Sequence, residues 1–383
     1  MKKSVYIRTF GCQMNNRDSE FIGGVFIDKG YKLVDLPGEA GVILFNTCSV
    51  RAHAEERAIS SMGQLMHEHK NRIYGIVGCA AQALGEGLFK RLPGLNIVCG
   101  TGEITRLPEL VKEAENGRVL ALEDKDALLP ELKPTYRQDK DAAYVSIMRG
   151  CDNFCAYCIV PYVRGRERSR SADGIISEIR DLAGQGIRDV TLLGQNVNSY
   201  RPKAEGRRSK AYGFVELLCD VNKIDGIEKI NFMTSHPKDA TGALFKAMKN
   251  LDKVRKHLHL PLQSGSDRIL KLMQRGYTRG GYFDLISEAL AVIPGLRVTT
   301  DIIVGFPGEG EEDFGKTRSL MEEMKFDSAY IFKYSPRAGT EAAKMPDDVS
   351  LRLKKERHKT LLDLQRSISK GKAHEKTDCC HCT

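Results

Sequence analysis

Two spacings alternate along this chain. Short β-rich apolar runs are followed by longer stretches whose apolar residues recur at helical intervals, the pattern of a parallel sheet with helical crossovers. In the first third, strands are expected at residues 5–7, 42–45, 73–77 and 95–98, with helices at about 18–29 and 52–69. From residue 144 the alternation resumes, with strands at 144–147, 189–193, 229–233, 257–260, 299–304 and 329–333. The helices between them are expected near 172–185, 213–223, 239–250, 266–275, 279–293 and 310–325. Eight β/α units close a full barrel, so six successive units predict a partial, open one. Residues 116–142 are polar and broken by Pro130 and Pro134, which predicts a linker. Residues 350–376 carry Leu351, Leu361, Leu362, Leu364 and Ile368 among charges and predict a long helix. The expected fold is α/β: an N-terminal parallel, Rossmann-like domain over 1–115, the linker, a partial (βα)6 barrel with its C-terminal helix over 143–376, and an atypical tail over 377–383.

Composition narrows the picture a little. The 383 residues allow two or three domains with full cores, and 41% apolar with 28% charged residues is ordinary for a globular protein. No apolar run approaches a membrane span, and Met1-Lys2-Lys3-Ser4-Val5-Tyr6 leads straight into a strand, so a cytoplasmic location without a membrane partner is expected. Eleven cysteines in that compartment indicate metal or redox chemistry more than a disulfide framework. The formal charge of +9 suits a polyanionic partner without choosing one.

The candidate chemistry lies in the cysteines. Cys151, Cys155 and Cys158 are spaced C-x3-C-x2-C directly after a strand. A [4Fe–4S] cluster usually takes four cysteines, so three leave one iron open to a substrate or cofactor. A structural zinc knuckle is the alternative, but zinc wants four closed ligands, and the next cysteine is Cys219, in an apolar run that predicts core. Cys12, Cys48 and Cys79 each follow the end of an expected strand, the edge where open α/β sheets collect ligands. Gly11 and Gly78, each just before a cysteine, would let backbone pass close to a bulky group. Free cysteine is also a common small buried hydrophobe, which suits any one of these three, and Cys99 is read that way.

The C-x3-C-x2-C loop, with Tyr157 before its third cysteine, resembles the signature of the radical S-adenosylmethionine (radical SAM) enzymes. In those enzymes the open iron chelates the methionine end of SAM, and an electron from the cluster cleaves the sulfonium to a 5′-deoxyadenosyl radical. Thr9-Phe10-Gly11-Cys12-Gln13-Met14-Asn15, Asn46-Thr47-Cys48-Ser49-Val50-Arg51 and Gly78-Cys79-Ala80-Ala81-Gln82 resemble the N-terminal motifs of the methylthiotransferases, a radical SAM family. The resemblance spans about residues 4–370. It implies that Cys151, Cys155 and Cys158 hold the SAM-cleaving [4Fe–4S] cluster and that Cys12, Cys48 and Cys79 hold an auxiliary [4Fe–4S] cluster that presents sulfur. It also implies SAM contacts from Tyr157, Gln195, Asn196, Ser235, His236 and Asp301. Helix caps and satisfied loop residues are the alternative for Gln195, Asn196, Ser235 and His236.

Arg164, Arg166, Arg168 and Arg170 occupy alternate positions just after the loop. In an extended chain all four would point to one side, a row of forks suited to RNA phosphates; a solvated basic loop is the alternative. Arg201, Lys203, Arg207, Arg208 and Lys210 form a second basic segment. The Ser49-Val50-Arg51 run favours the subgroup that converts N6-dimethylallyladenosine at position 37 of tRNA to its 2-methylthio form. Methylthiolation of threonylcarbamoyladenosine-37 or of a ribosomal-protein aspartate are neighbouring alternatives, and a non-enzymatic iron–sulfur or zinc RNA-binding module is one of another class. The implied partners are tRNA and a low-potential flavodoxin- or ferredoxin-like electron donor, with the chain a monomer. Family members typically continue into a small all-β TRAM domain, whereas this sequence stops at Thr383, and Cys379-Cys380-His381-Cys382 reads as an altered end rather than a metal site.

Overall fold

A computed structural model of the chain describes residues 2–49, 52–122, 134–202 and 212–378. Val50 and Arg51, the basic residues Lys203, Arg207, Arg208 and Lys210, and the terminal Cys379, Cys380, His381 and Cys382 lie outside the described residues. The chain divides into two compact units, Met1–Asp152 with Ile159–Ile187, and Asn153–Cys158 with Arg188–Thr383.

The first unit is built on a six-stranded sheet: β1 (Ser4–Phe10), β2 (Lys32–Leu33), β3 (Val42–Thr47), β4 (Ile73–Gly78), β5 (Ile97–Cys99) and β6 (Val119–Ala121). All its pairings are parallel, in the order β2-β1-β3-β4-β5-β6. That is the doubly wound order whose direction reverses between β1 and β3, the point at which such sheets bind ligands. Every residue of β3 and β4 is buried, as expected of strands covered on both faces. Val42 and Leu44 face α1 (Gln13–Asp28), while Ile43 and Phe45 face α2 (Ala52–Glu68). The crossovers after β4 and β5 are shorter, α3 (Cys79–Leu84), α4 (Gly87–Arg91) and α5 (Leu107–Glu113). Cys99 is buried among the apolar side chains of the α1 and α5 face, as its packing role predicts. β6 falls inside the stretch whose polarity predicts a linker; three residues on a sheet edge are too few to announce a strand.

The same unit holds β7 (Ala142–Ser146), a two-stranded antiparallel ribbon of β8 (Met148–Arg149) with β9 (Arg168–Ser169), the short helix α6 (Val160–Arg164), and α7 (Ala172–Gly184) capped by Ser171. The second unit continues the alternation with β10 (Asp189–Leu193), α8 (Phe214–Asn222), β11 (Lys229–Phe232), α9 (Gly242–Asn250), β12 (His257–His259), α10 (Asp267–Leu272), α11 (Arg279–Val292), β13 (Arg297–Val304), α12 (Glu311–Met324), β14 (Ser328–Lys333) and α13 (Leu351–Asp378). β10 pairs with β11, and β12-β13-β14 form a second run, all parallel. All six strands predicted for the open barrel are therefore present. Cys219 lies half-buried on α8.

α13 is tied to this unit by polar contacts as well as packing. Arg357 donates from one nitrogen to Glu309 Oε1 (2.8 Å) and its carbonyl (2.9 Å), with both side chains almost wholly buried. The Glu309 carboxylate also accepts the Gly305 N–H (3.1 Å), which fixes the loop after β13. Replacing Arg357 with Leu would leave a buried carboxylate unpaired, and a loss of about 3–5 kcal/mol is expected in urea unfolding. A loss within ~1 kcal/mol would show that the pair contributes little.

Candidate metal centres

The first three cysteines are collected by strand register. Phe10 pairs with Thr47, and Thr47 with Gly78, so β1, β3 and β4 end level with one another. Cys12, Cys48 and Cys79 follow within two residues of those ends, at the carboxyl edge of the sheet and across its switch point. The packing there is tight. Gly11 has φ +142°, and a Cβ on it would sit 2.5 Å from the Cys48 Cβ. Gly78 has φ +94°, and a Cβ there would meet Asn46 Oδ1 at 2.5 Å and the Thr47 carbonyl at 2.8 Å. Two of the three cysteines also stand at helix starts, Cys12 before α1 and Cys79 as the first residue of α3, where exposed N–H groups favour a thiolate.

The sulfurs share one polar network. The Cys12 thiol lies 3.7 Å from Asn15 Oδ1. Arg164 donates from Nη2 to Asn15 Oδ1 (3.3 Å) and Asp18 Oδ2 (2.8 Å), and from Nε to Cys79 Sγ (3.2 Å). A hydrogen bond from Cys48, aided by the Arg164 charge and the Asn15 N–H, brings the Cys12 thiol down to about 6 against the opposing effect of burial. Burial pushes the Cys79 thiol up, and Arg164 pulls against it. Asn46 Oδ1 and Ser49 Oγ are buried beside these cysteines and find no partner among the described residues. A Cys12 thiol already biased towards thiolate, an arginine donor on the Cys79 sulfur and spare polar atoms around them fit a thiolate-bound metal cluster. Among the described residues no group of three His, Cys, Asp or Glu side chains is drawn close enough to hold a single metal ion; a four-iron cluster spreads its thiolates more widely than one ion does.

The C-x3-C-x2-C loop begins in the first unit, where the Cys151 N–H donates to the Gly165 carbonyl (3.3 Å). Cys155 and Cys158 belong to the second unit, with the Cys158 N–H on the Cys155 carbonyl (2.9 Å). Arg275, buried, donates to Cys155 Sγ (3.2 Å), to the Pro261 carbonyl (3.2 Å) and to the Tyr277 hydroxyl (3.0 Å). Tyr157 packs with Ala156, Met273 and Phe306. The His236 ring meets Tyr277 edge-on at 5.8 Å.

Asn196, Ser235 and His236 are brought together after β10 and β11. Val197 N–H bonds to the Thr234 carbonyl, and the His236 N–H to Asn198 Oδ1 (3.2 Å). Burial, reinforced by Arg275 and Lys238, drives the His236 imidazole down to about 2, so the ring is neutral. Its Nδ1 accepts the Lys238 N–H (3.2 Å), which leaves the proton on Nε2. His236 Nε2, Ser235 Oγ, Asn196 Oδ1 and Gln263 Oε1 are all buried without a partner among the described residues, the condition of groups awaiting a polar ligand. Gln195 is half-buried beside Asn196. Asp301 lies apart from this cluster in its contacts, 3.4 Å from His259 Nε2. Positive φ at Phe154 (44°), Thr234 (72°) and Gln263 (69°) places strained backbone at the loop and at two strand ends. Gln263 belongs to the strand-end polar group Gln263-Ser264-Gly265, which the sequence also places on this face, whereas Arg275 and Tyr277 were omitted because they follow α10 and no strand end.

The four arginines do not form one row. Arg164 ends α6 instead of lying in extended chain, and its side chain turns inward to Cys79 and Asp18. Arg170 donates to the Ser146 carbonyl (2.6 Å) and to buried Glu178 (2.8 Å), which Arg137 also pairs (3.2 Å). Arg166 is largely exposed and pairs with Asp152 (3.0 Å), and Arg168 is half-buried in β9. Pro161 at the start of α6 and the internal acids Asp18 and Glu178 set this division, and alternate spacing could not reveal it.

Comparison with known proteins agrees with this architecture. The family model "Radical SAM superfamily" matches residues 145–321, and "Uncharacterized protein family UPF0004" matches residues 4–100. A radical SAM methyltransferase, TsrM from Kitasatospora setae, superposes with a TM-score of 0.62 at 13% identity, covering 90% of this chain and 77% of that one, which shows the shared fold. The chain is a radical SAM protein with an N-terminal α/β domain. It is 47% identical over 378 residues to the tRNA-2-methylthio-N(6)-dimethylallyladenosine synthase of Thermoanaerobacter sp. (strain X514), covering 97% of this chain and 79% of that one. The same-named protein of Syntrophus aciditrophicus (strain SB) is 45% identical over 385 residues, with 98% and 82% covered. The chain belongs to the radical SAM methylthiotransferase family, and within it to the group these tRNA-modifying synthases define.

Two outcomes follow from the electrostatics. The folded protein refuses His236 a proton that the unfolded chain takes up below about pH 6.5, so this residue costs stability as pH falls and nothing above that value. His236→Gln is expected to lose about 2 kcal/mol less than wild type between pH 7 and 5 in urea unfolding, and equal losses would contradict a buried neutral ring. Arg170→Ala is expected to destabilise on the order of 3 kcal/mol by disturbing Glu178, while Arg166→Ala stays within ~1 kcal/mol. The reverse ranking would return Arg170 to the surface.

Proposed function

We propose that Cys12, Cys48 and Cys79 hold one [4Fe–4S] cluster and that Cys151, Cys155 and Cys158 hold a second, each through three thiolates. With SAM, the protein converts N6-dimethylallyladenosine at position 37 of tRNA to its 2-methylthio form. The observation that carries this reading is the level ending of β1, β3 and β4, which brings three cysteines distant in sequence to one sheet edge. Carbon 2 of adenine bears an unactivated C–H bond that acid–base chemistry does not open. The clusters and SAM, when bound, supply the radical and the sulfur that such a bond requires.

The chain's own residues bind, orient and exclude. Neutral His236 offers an Nε2–H donor, and Asn196 Oδ1 an acceptor, matching the mixed polar groups of SAM. Ser235 and Gln195 follow the ends of β11 and β10, Asp301 lies within β13, and Tyr157 precedes Cys158, where it would face the adenine. Arg166, largely exposed, and Arg168 are the members of the arginine series most available to RNA phosphates. A low-potential flavodoxin- or ferredoxin-like donor supplies electrons, and the protein works as a cytoplasmic monomer.

Anaerobic reconstitution is expected to give about eight irons per chain and reductive cleavage of SAM; zinc binding without cleavage would sink the enzymatic reading. Cys48→Ala is expected to keep SAM cleavage and lose methylthio transfer, scored by mass analysis of tRNA nucleosides. Continued methylthiolation by that variant would remove Cys48 from sulfur delivery. A 2-methylthio mark on threonylcarbamoyladenosine would redirect the substrate assignment.

A further inference from the structure

Arg164 entered as one of four candidate RNA contacts, and the structure gives it a different position. Its guanidinium is 6% exposed and spends three hydrogen bonds on Cys79 Sγ (3.2 Å), Asn15 Oδ1 (3.3 Å) and Asp18 Oδ2 (2.8 Å). Asn15, fully buried, is fixed in turn: its amide donates to the Phe10 carbonyl (3.2 Å), and Asn46 donates to its backbone carbonyl (2.8 Å). The cation is thus bolted to α1 on one side and aimed at a cysteine sulfur of α3 on the other. Arginine keeps its proton in proteins and is the side chain suited to several directed bonds at once. Burying a guanidinium is costly unless charge answers it. Asp18 answers part of that charge, and the sulfur of Cys79 is the next acceptor in line.

We propose that Arg164 is a positioning residue for the auxiliary cysteines: it holds the Cys79 thiolate in place and sets the reduction potential of the cluster those cysteines carry. This rests on the assignment of Cys12, Cys48 and Cys79 to a cluster. Hydrogen bonds to the sulfurs and local net charge are two of the factors that set such potentials. Reduction adds one electron and no proton at Arg164. A fixed positive charge on the sulfur therefore favours the reduced form, and the Asp18 carboxylate behind it works in the opposite sense. The chain places this cation six residues after Cys158, so one short segment carries both the end of the SAM-cluster loop and the neutralising group of the auxiliary cysteines.

The test uses the 383-residue chain with Cys151→Ala, Cys155→Ala and Cys158→Ala, so that only the auxiliary cluster forms. Iron is counted after anaerobic reconstitution, and the midpoint is read by dithionite titration followed by EPR. Arg164→Gln in this background is expected to make reduction harder by on the order of tenfold in equilibrium constant, about 59 mV for one electron. Asp18→Asn is expected to shift the midpoint the other way, because it removes the opposing charge and keeps the arginine. A purely structural role would not produce shifts of opposite sign. If Arg164→Gln fails to fold, Asp18→Asn decides, and a midpoint that stays put or turns negative overturns the proposal. Iron bound with neither midpoint moved overturns the role of Arg164 alone. No iron in the parent triple variant overturns the cysteine assignment, and the arginine's role with it.

Discussion

The carboxyl edge of the parallel sheet is the constraint on which the first unit depends. Parallel strands hydrogen-bonded in register must end level if their last pairs are Phe10 with Thr47 and Thr47 with Gly78. Once that register is set by the fully buried faces of β3 and β4, three cysteines separated by tens of residues have nowhere else to go. The order β2-β1-β3-β4 then adds a crevice, because the crossovers leave β1 and β3 in opposite directions. Local crowding follows from the same geometry. Gly11 and Gly78 are there because a Cβ at either would collide with the neighbouring strand end, as the 2.5 Å approaches show.

Burying a thiol such as Cys79 or Cys155 creates an electrostatic problem, and the two units answer it alike. Each sets a nearly buried arginine against one cysteine sulfur, Arg164 on Cys79 and Arg275 on Cys155, both at 3.2 Å. Each arginine is held from behind by groups that limit its freedom: Asp18 and Asn15 for the first, the Tyr277 hydroxyl and the Pro261 carbonyl for the second. The pairing is directional because the guanidinium fork presents several donors in fixed geometry, which an ammonium does not. Two stretches distant in sequence thus reach one solution, each arginine followed by a glycine at positive φ, Gly165 and Gly276.

Much of the fold was legible because its signals are periodic. Strands at 42–47, 73–78, 189–193 and 297–304 show as compact apolar runs, and the long helices between them show as repeating apolar faces. The six cysteines proposed as cluster ligands stood out for a different reason, their spacing and the strand ends before them. What remained hidden has a common physical cause: its meaning lies in partners far away in sequence. Arg164, Arg166, Arg168 and Arg170 look equivalent along the chain. Asp18, 146 residues from Arg164, draws one inward, and Glu178 holds another. Gln263 shows along the chain only as a polar residue after a strand and Arg275 carries no local mark, and only folding sets one without a partner for its Oε1 among the described residues and the other on a sulfur.

The unpartnered polar atoms give this hidden part its functional sense. A protein interior tolerates few of them, because each forfeits its hydrogen bonds to water. Among the described residues, Asn196 Oδ1, Ser235 Oγ, His236 Nε2 and Gln263 Oε1 are four such atoms at the strand ends of one unit. Their backbone is held in part at positive φ, at Thr234 and Gln263, where side chains are costly to place. Strain and lost hydrogen bonds at the same strand ends, with no local compensation, are the marks of a surface shaped for a bound group rather than for the empty fold. The neutrality of His236 fits that purpose, since a charged ring at that depth would need a counter-ion, whereas the neutral ring needs only an acceptor.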